Sequence, residues 1–233
     1  MSLPKLETAK YTTTIPSTKE EIEYRPFLVK EEKVLMVAQE SSDTAQITKA
    51  MIDILDACTF NKIDCNKLTT YDLEYLFLQL RTKSVGEIAK LRFKCQKSGE
   101  YVNVDLDLRE VQVHYPEENP ETNVKLSDEV GITLKPIYLS ELRNIDTENE
   151  QEAFMQGVAA AIDTVYDNEG VYQLSDFNKK EQHEFIDSLN HGQLEKIQHW
   201  INVQPTLRHE VEYVGPTGHQ NKHLIEGLTA FFT

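Results

Sequence analysis

The sequence predicts an α+β fold: a helical N-terminal region, central β-hairpins, and a helical C-terminal region that ends in a further hairpin. Three observations carry this. Apolar residues recur at helical spacing over residues 43–58, 69–83 and 150–165. Between them, residues 91–108 alternate in period two around a glycine turn. No strand–helix–strand series repeats along the chain, so a doubly wound parallel sheet is not expected. At 233 residues and 39% hydrophobic content, the chain is long enough to bury a core as one domain or two small lobes.

The elements follow in order. Residues 1–90 read as an extended arm plus a helical lobe. Tyr11-Thr-Thr-Thr-Ile15 is rich in β-branched side chains, and Pro4, Pro16 and Pro26 interrupt any early helix. Ile22-Glu-Tyr24 and Phe27-Leu-Val29 read as short strands on either side of Arg25-Pro26. A helix is predicted over residues 30–40, with Val34, Leu35 and Ala38 on its apolar face. Asp43 is the predicted cap of the next helix, with Gln46 completing a capping box. Ile47, Met51, Ile54, Leu55 and Cys58 form its stripe, which makes Cys58 a core residue. Thr69 caps a third helix, with Asp72 at the third position. Tyr71, Leu73, Tyr75, Leu76, Phe77, Leu78 and Leu80 crowd nearly every side of it, so it is expected to be buried in its own fold or in a partner.

Residues 91–135 read as a β-hairpin region. The hairpin over 91–108 turns at Gln96-Lys-Ser-Gly99, and Val111-Gln-Val113 is placed as its continuation. Val124-Lys-Leu126 and Ile132-Thr-Leu134 make a second, shorter hairpin with its tip near Ser127-Asp128. Residues 136–205 read as helical. A short helical stretch at 139–144 comes first, and then a stripe of Ala153, Phe154, Gly157, Val158, Ala161, Ile162 and Val165. Phe177, Phe185, Ile186 and Leu189 mark a further helix. Asn190 with Gln193 is a capping box for the last one, and Leu189 with Leu194 has hydrophobic-staple spacing. Residues 206–233 form a terminal hairpin around Gly215-Pro-Thr-Gly218 and then an apolar tail, Gly227-Leu-Thr-Ala-Phe-Phe232.

The charge narrows the partners. The net charge is −15, shared unevenly: residues 1–92 sum to −1 and residues 93–233 to −14. Acidic surface repels phosphate backbones and anionic headgroups, so neither nucleic acid nor membrane is an expected partner. A protein with a basic face fits better, although the same charge also serves plain solubility. No run of about 18 apolar residues is present, and the polar start with Pro4 does not read as a signal peptide. Three cysteines, Cys58, Cys65 and Cys95, imply a reducing cytoplasm and no disulfide framework.

Catalytic signatures are thin. The chain has no phosphate-binding glycine loop, no His-Glu-x-x-His and no nucleophile elbow, so no enzyme activity and no cofactor are expected. The two glycine-turn hairpins resemble the frame of a zinc ribbon, but they offer only Cys95, with His219 and His223 nearby, so no metal is expected. Asp105 and Asp107 share a strand face, for which a solvated surface is the plainer reading. His183, His191 and His199 straddle a helix break and read as surface side chains.

Two stretches carry a family resemblance. One is Thr14-Ile-Pro-Ser-Thr18 leading to Tyr24-Arg-Pro-Phe-Leu-Val-Lys-Glu-Glu-Lys-Val-Leu35. The other is Tyr71-Asp-Leu-Glu-Tyr-Leu-Phe-Leu-Gln-Leu-Arg-Thr-Lys-Ser-Val-Gly-Glu87. Together with the tail, they resemble the baseplate protein family of T-even-type myophages, which includes hub subunits and hub-assembly proteins. The resemblance is strong over about residues 3–108 and thinner beyond. Some relatives carry cysteine pairs at the two hairpin knuckles, and this chain departs from that at both. The resemblance implies a structural or assembly protein of a contractile tail baseplate hub, present in the host cytoplasm during assembly and in the virion tail baseplate. Its implied partners are other baseplate, hub or tape-measure proteins, and a second copy of the chain. A transient chaperone for a tape-measure or hub component is the alternative, and an unrecognised enzyme the second alternative. The candidate partner-contact residues are Arg25, Phe27, Tyr71, Tyr75, Phe77, Leu228, Phe231 and Phe232. For Arg25 two readings stay open: an ion pair with Glu31 or Glu32, or a contact to another subunit.

Overall fold

A computed structural model describes residues 6–40, 44–95, 97–117, 120–142, 145 and 149–227. In chain order its elements are β1 (Tyr11–Thr14), β2 (Glu21–Tyr24), α1 (Val29–Glu40), α2 (Thr44–Cys58), α3 (Thr70–Ser84), β3 (Ile88–Lys94), β4 (Tyr101–Asp107) and β5 (Gln112–His114). Then come β6 (Asn123–Lys125), β7 (Gly131–Leu134), α4 (Leu139–Leu142), α5 (Glu150–Ala161), β8 (Ile162–Tyr166) and β9 (Val171–Gln173). The chain closes with α6 (Lys179–Asp187), α7 (His191–Asn202), β10 (Thr206–Val214) and β11 (Gln220–Glu226). The α+β class is therefore as predicted. Among the described residues, no helix is long and apolar enough to cross a membrane.

The elements sort into two compact units. The first takes residues 1–114 and 206–233, the second residues 115–205. In the first unit, α3 is the central helix. Leu73, Leu76, Phe77, Leu78 and Leu80 are all buried, as are Tyr71 and Thr82. Each large apolar side chain taken fully from water contributes about 1.5–3 kcal/mol, so this helix dominates the unit's core. Its start is fixed by the predicted cap: Thr69 and Asp72 form a reciprocal capping box. The Asp72 carboxylate does more. It accepts from Ser17 N (2.9 Å) and Ser17 Oγ (2.6 Å), and from Thr69 N (3.0 Å) and Thr69 Oγ1 (2.7 Å). Ser17 lies in the turn between β1 and β2, which pair antiparallel from Tyr11↔Tyr24 to Thr14↔Glu21. The extended arm is thus tied to the N-terminus of α3.

Three expectations are corrected. Phe27-Leu-Val29 is not a strand, because Val29 already opens α1. The cause is Glu31, whose Oε2 accepts the Leu28 N–H at 2.8 Å and so caps the helix entry. Val111-Gln-Val113 does not continue the β3–β4 hairpin. A 3-10 turn over Leu108–Glu110, capped by Asp107 and anchored by buried Leu108, redirects the chain, and β5 pairs instead with β10. The stripe that reached Val165 is not all helix. α5 stops at Ala161 and the β-branched run that follows becomes β8. The predicted cap Asp43 lies outside the described residues.

In the second unit, β6, β7, β8 and β9 form an antiparallel sheet in that order. Val124, Ile132, Leu134, Ile162, Val158, Ile186, Ile197 and Trp200 share its core with α5, α6 and α7. The box at Asn190 and Gln193 forms as predicted, and Leu189 and Leu194 both pack against this core. Gln193 Nε2 also donates to Leu126 O (2.6 Å), fastening α7 to the β6–β7 hairpin. Gly131 pairs with Tyr166, and a Cβ there would sit 2.2 Å from the Tyr166 ring, so a side chain at 131 would have to push that ring aside.

Asp72→Ala should cost on the order of 3 kcal/mol, because it strands the Ser17 and Thr69 donors in the core. Asp72→Asn, which keeps an acceptor, should cost less. Denaturant unfolding of the purified chain measures both, and a change within about 0.5 kcal/mol for the alanine variant would contradict the tie described here.

Candidate functional site

Arg25 is buried between the end of β2 and the start of α1. Its Nη2 donates to Glu31 Oε1 at 2.9 Å, and Nη1 to Pro26 O at 2.9 Å. Its backbone N–H donates to Cys58 O at 3.0 Å, which joins the arm to the end of α2. Of the two carboxylates considered from sequence, Glu31 is the one engaged. Glu32 is exposed. Burial alone would raise the Glu31 pKa, but Arg25, the Leu28 N–H and Lys30 outweigh it and hold the carboxyl below its ordinary value.

Of the other candidates, Tyr71, Tyr75 and Phe77 stand on α3, and Phe27 precedes α1. The Phe27 ring stacks on Phe77 at 6.4 Å, and its N–H donates to Ser84 Oγ at 2.9 Å. Phe77 and Tyr71 are buried, whereas Phe27 and Tyr75 are half-buried. Tyr24, next to Arg25, has its phenol pushed up to about 12 by burial, with Tyr75 and Tyr11 nearby. Leu228, Phe231 and Phe232 lie outside the described residues. The residue before them, Gly227, donates its N–H to Leu207 O.

The geometry adds a row that the sequence reading missed. Of the three residues assigned to the apolar face of α1, Ala38 is buried and Leu35 half-buried, but Val34 is exposed. Opposite the buried side stand Val29, Met36 and Val37, exposed at 65%, 55% and 68%. The signal was available: residues 34–38 are five consecutive apolar side chains, and a helix lying on one neighbour buries only one stripe. Leu28 is exposed as well and extends the row.

The two glycine hairpins meet at their knuckles. Phe93 on β3 packs against Tyr213 (5.4 Å) and His223 (4.6 Å) from the β10–β11 hairpin. A Cβ on Gly215 would lie 2.9 Å from Cys95 Sγ, so Gly215 leaves room for the thiol. The N–H and hydroxyl of Ser98 and the N–H of Lys97 hold the Cys95 thiol below its ordinary pKa. His223, placed near the knuckle as a possible ligand, packs at a tilt against Phe93. Among the described residues, no group of three or more His, Cys, Asp or Glu side chains is placed to hold a metal ion. Asp107 is held by Arg109, which brings its pKa down to about 2. His191 and His199 are exposed, and His183 sits 3.7 Å from Glu152. Cys58, as expected, is fully buried, and its thiol is pushed up to about 11.

The site as assembled is an exposed apolar face of α1 beside the buried Arg25–Glu31 ion pair. Arg25→Met should destabilise the chain by about 3–5 kcal/mol, because Glu31 is left buried without its partner. Glu31 titrates lower in the folded chain than in the unfolded one. Its contribution is therefore present above the ordinary glutamate pKa of 4.5 and is lost as pH falls through the depressed folded value. Urea melts between pH 3 and 7 should show this acid loss in the native chain and a flatter profile in Glu31→Gln. An equal acid loss in that variant would contradict the assignment.

No curated protein and no solved structure matches the chain. A family described as T4 bacteriophage base plate protein matches residues 8–233, which takes in both units and every contact element above. The match covers nearly the whole chain, and the chain belongs to the T4 bacteriophage base plate protein family.

Proposed function

We propose that the chain is a structural or assembly protein of the baseplate hub, and that it acts by contact with other baseplate proteins rather than by catalysis. One observation supports this reading most: the outward row of Leu28, Val29, Met36 and Val37 on α1. Exposed apolar rows of this kind mark interaction sites, since a monomer gains nothing by keeping them in water. Arg25 and Glu31 fix the angle at which α1 leaves the arm, and Phe27 seats that junction on Phe77 of α3. In this reading Arg25 and Phe27 position the surface, and the α1 row makes the contact. The tail residues Leu228, Phe231 and Phe232 supply a second contact, which starts from Gly227 beside α3.

The partner is another baseplate, hub or tape-measure protein with an apolar face. Assembly takes place in the host cytoplasm, and the chain stays in the virion tail. A transient chaperone would use the same exposed row, which is why that second reading is kept.

Met36→Asp with Val37→Asp should leave thermal stability within about 0.5 kcal/mol of the parent, because both positions are already in water. The same double variant should fail to restore baseplates in a complementation assay. Removal of residues 228–233 should give the same split between stability and assembly. Normal assembly by both variants would overturn the contact reading. Mass spectrometry of purified tails tests residence: a stoichiometric chain supports the hub subunit, and its absence supports the chaperone.

A further inference from the structure

The second unit holds an apolar groove between α5 and α7. Its volume is about 430 Å³, within the range of sites that take a ligand-sized group. Ile137, Phe154, Gly157 and Ile201 give it apolar walls, and Gln198 and Asn202, one helical turn apart on α7, add two amides. Phe154 is 40% exposed, and a Cβ on Gly157 would meet no atom within 4 Å. The space over Gly157 is therefore open to a side chain from outside. No charged side chain lines the groove, although its unit carries 18 acidic against 6 basic side chains. An ion buried there would find no counter-charge, so the occupant has to be apolar and uncharged. The chain carries such a segment. Residues 227–233, Gly-Leu-Thr-Ala-Phe-Phe-Thr, have no charged side chain and place Leu228, Phe231 and Phe232 close together. Gly227, with φ at +73° and its N–H on Leu207 O, gives the segment a fixed starting point.

We propose that this groove receives residues 228–233 of a second copy of the chain, which rests on the contact reading of the tail and gives that tail its partner. Two copies, each at −15, repel one another, so a self-contact forms only where both faces are neutral. The groove and the tail meet that condition. The α1 row does not, because it shares its helix with exposed Lys30, Glu32 and Lys33. A phenyl ring of the tail fills the space over Gly157 beside Phe154, and the amides of Gln198 and Asn202 pair with the tail backbone. Tail and groove are different surfaces, so the contact is heterologous, and each copy offers one of each.

Sedimentation equilibrium of the purified full chain, from about 1 to 200 μM, reads this contact. The parent should self-associate, and removal of residues 228–233 should weaken association by about tenfold or more. Gly157→Glu places a good helix former in open space, so the chain should fold and should lose association to the same degree. If its circular dichroism departs from the parent's, Phe154→Glu, at a position already exposed, takes its place. The truncated chain keeps the groove and the Gly157 variant keeps the tail. Mixed together, they should form a complex that neither forms alone. Met36→Asp with Val37→Asp should associate as the parent does. A monomeric parent, a groove variant that associates normally, mixed variants that stay apart, or loss of association in the α1 variant would overturn the proposal. The measurement uses no baseplate component, so a monomeric parent leaves the α1 contact untouched. If the tail is needed for baseplate assembly but not for self-association, its partner is a different protein and the second copy is ruled out.

Discussion

A buried carboxylate sets the terms for the first unit. Asp72 is fully shielded from solvent, and a carboxylate in that position is tolerated only where donors replace its water. Thr69 supplies two of those donors from the same helix start, and Ser17 supplies two from the arm. The arm therefore cannot leave without stranding a charge beneath it. Because the β1–β2 hairpin is held there, Arg25 arrives where it can meet Glu31, and Cys58 O can take the Arg25 N–H. The direction of α1, and with it the outward row of apolar side chains, follows from that chain of polar contacts. Polar groups that contribute little net stability as pairs here decide orientation, which hydrophobic packing alone specifies poorly.

Much of this was legible in the sequence because it is local. The capping boxes at Thr69 and Asn190, the hairpins over 91–108, 124–134 and 206–226, and the all-round apolar character of α3 depend on neighbours within a few residues. What escaped was pairing at a distance. Spacing cannot choose between Glu31 and Glu32 for Arg25, since both lie on the first turn of α1. The choice is made by the Leu28 N–H, which draws one carboxylate inward. Val111-Gln-Val113 read as the next strand of the preceding hairpin, whereas its partner is the strand that opens at Thr206. The end of α5 was hidden for a different reason. Apolar residues at 158, 161, 162 and 165 fit helical spacing, and only the antiparallel pairing of β8 with β7 and β9 turns the second half into strand. The outward row of α1 was passed over because Val34, which is exposed, was assigned to the buried side.

The facing hairpins are joined by aromatic packing. Two glycine-turn hairpins meet knuckle to knuckle, as they would around a metal, but what joins them here is a stack of Phe93 on Tyr213 and His223. Aromatic pairs of this kind add about 0.5–1.5 kcal/mol beyond their buried area. The Cys95 thiol is occupied by donors from its own turn, and Gly215 accommodates its bulk. The frame is thus held by packing.

Thr206 pairs directly with His114, and the whole second unit hangs between those two residues. During synthesis, the first unit lacks its β10–β11 hairpin until the whole of the second unit has been made. The second unit, by contrast, is continuous and can close on itself as soon as Pro205 is out. If it collapses first, the ends that must find each other are no longer separated by a long floppy loop, and the entropy of joining them falls accordingly. The chain then folds from the inside of its sequence outward, with the insert finishing first and its host closing around its two stems. For the same reason the stems are a natural place for change, since a longer or shorter insert between two paired neighbours leaves the host's ladder in register.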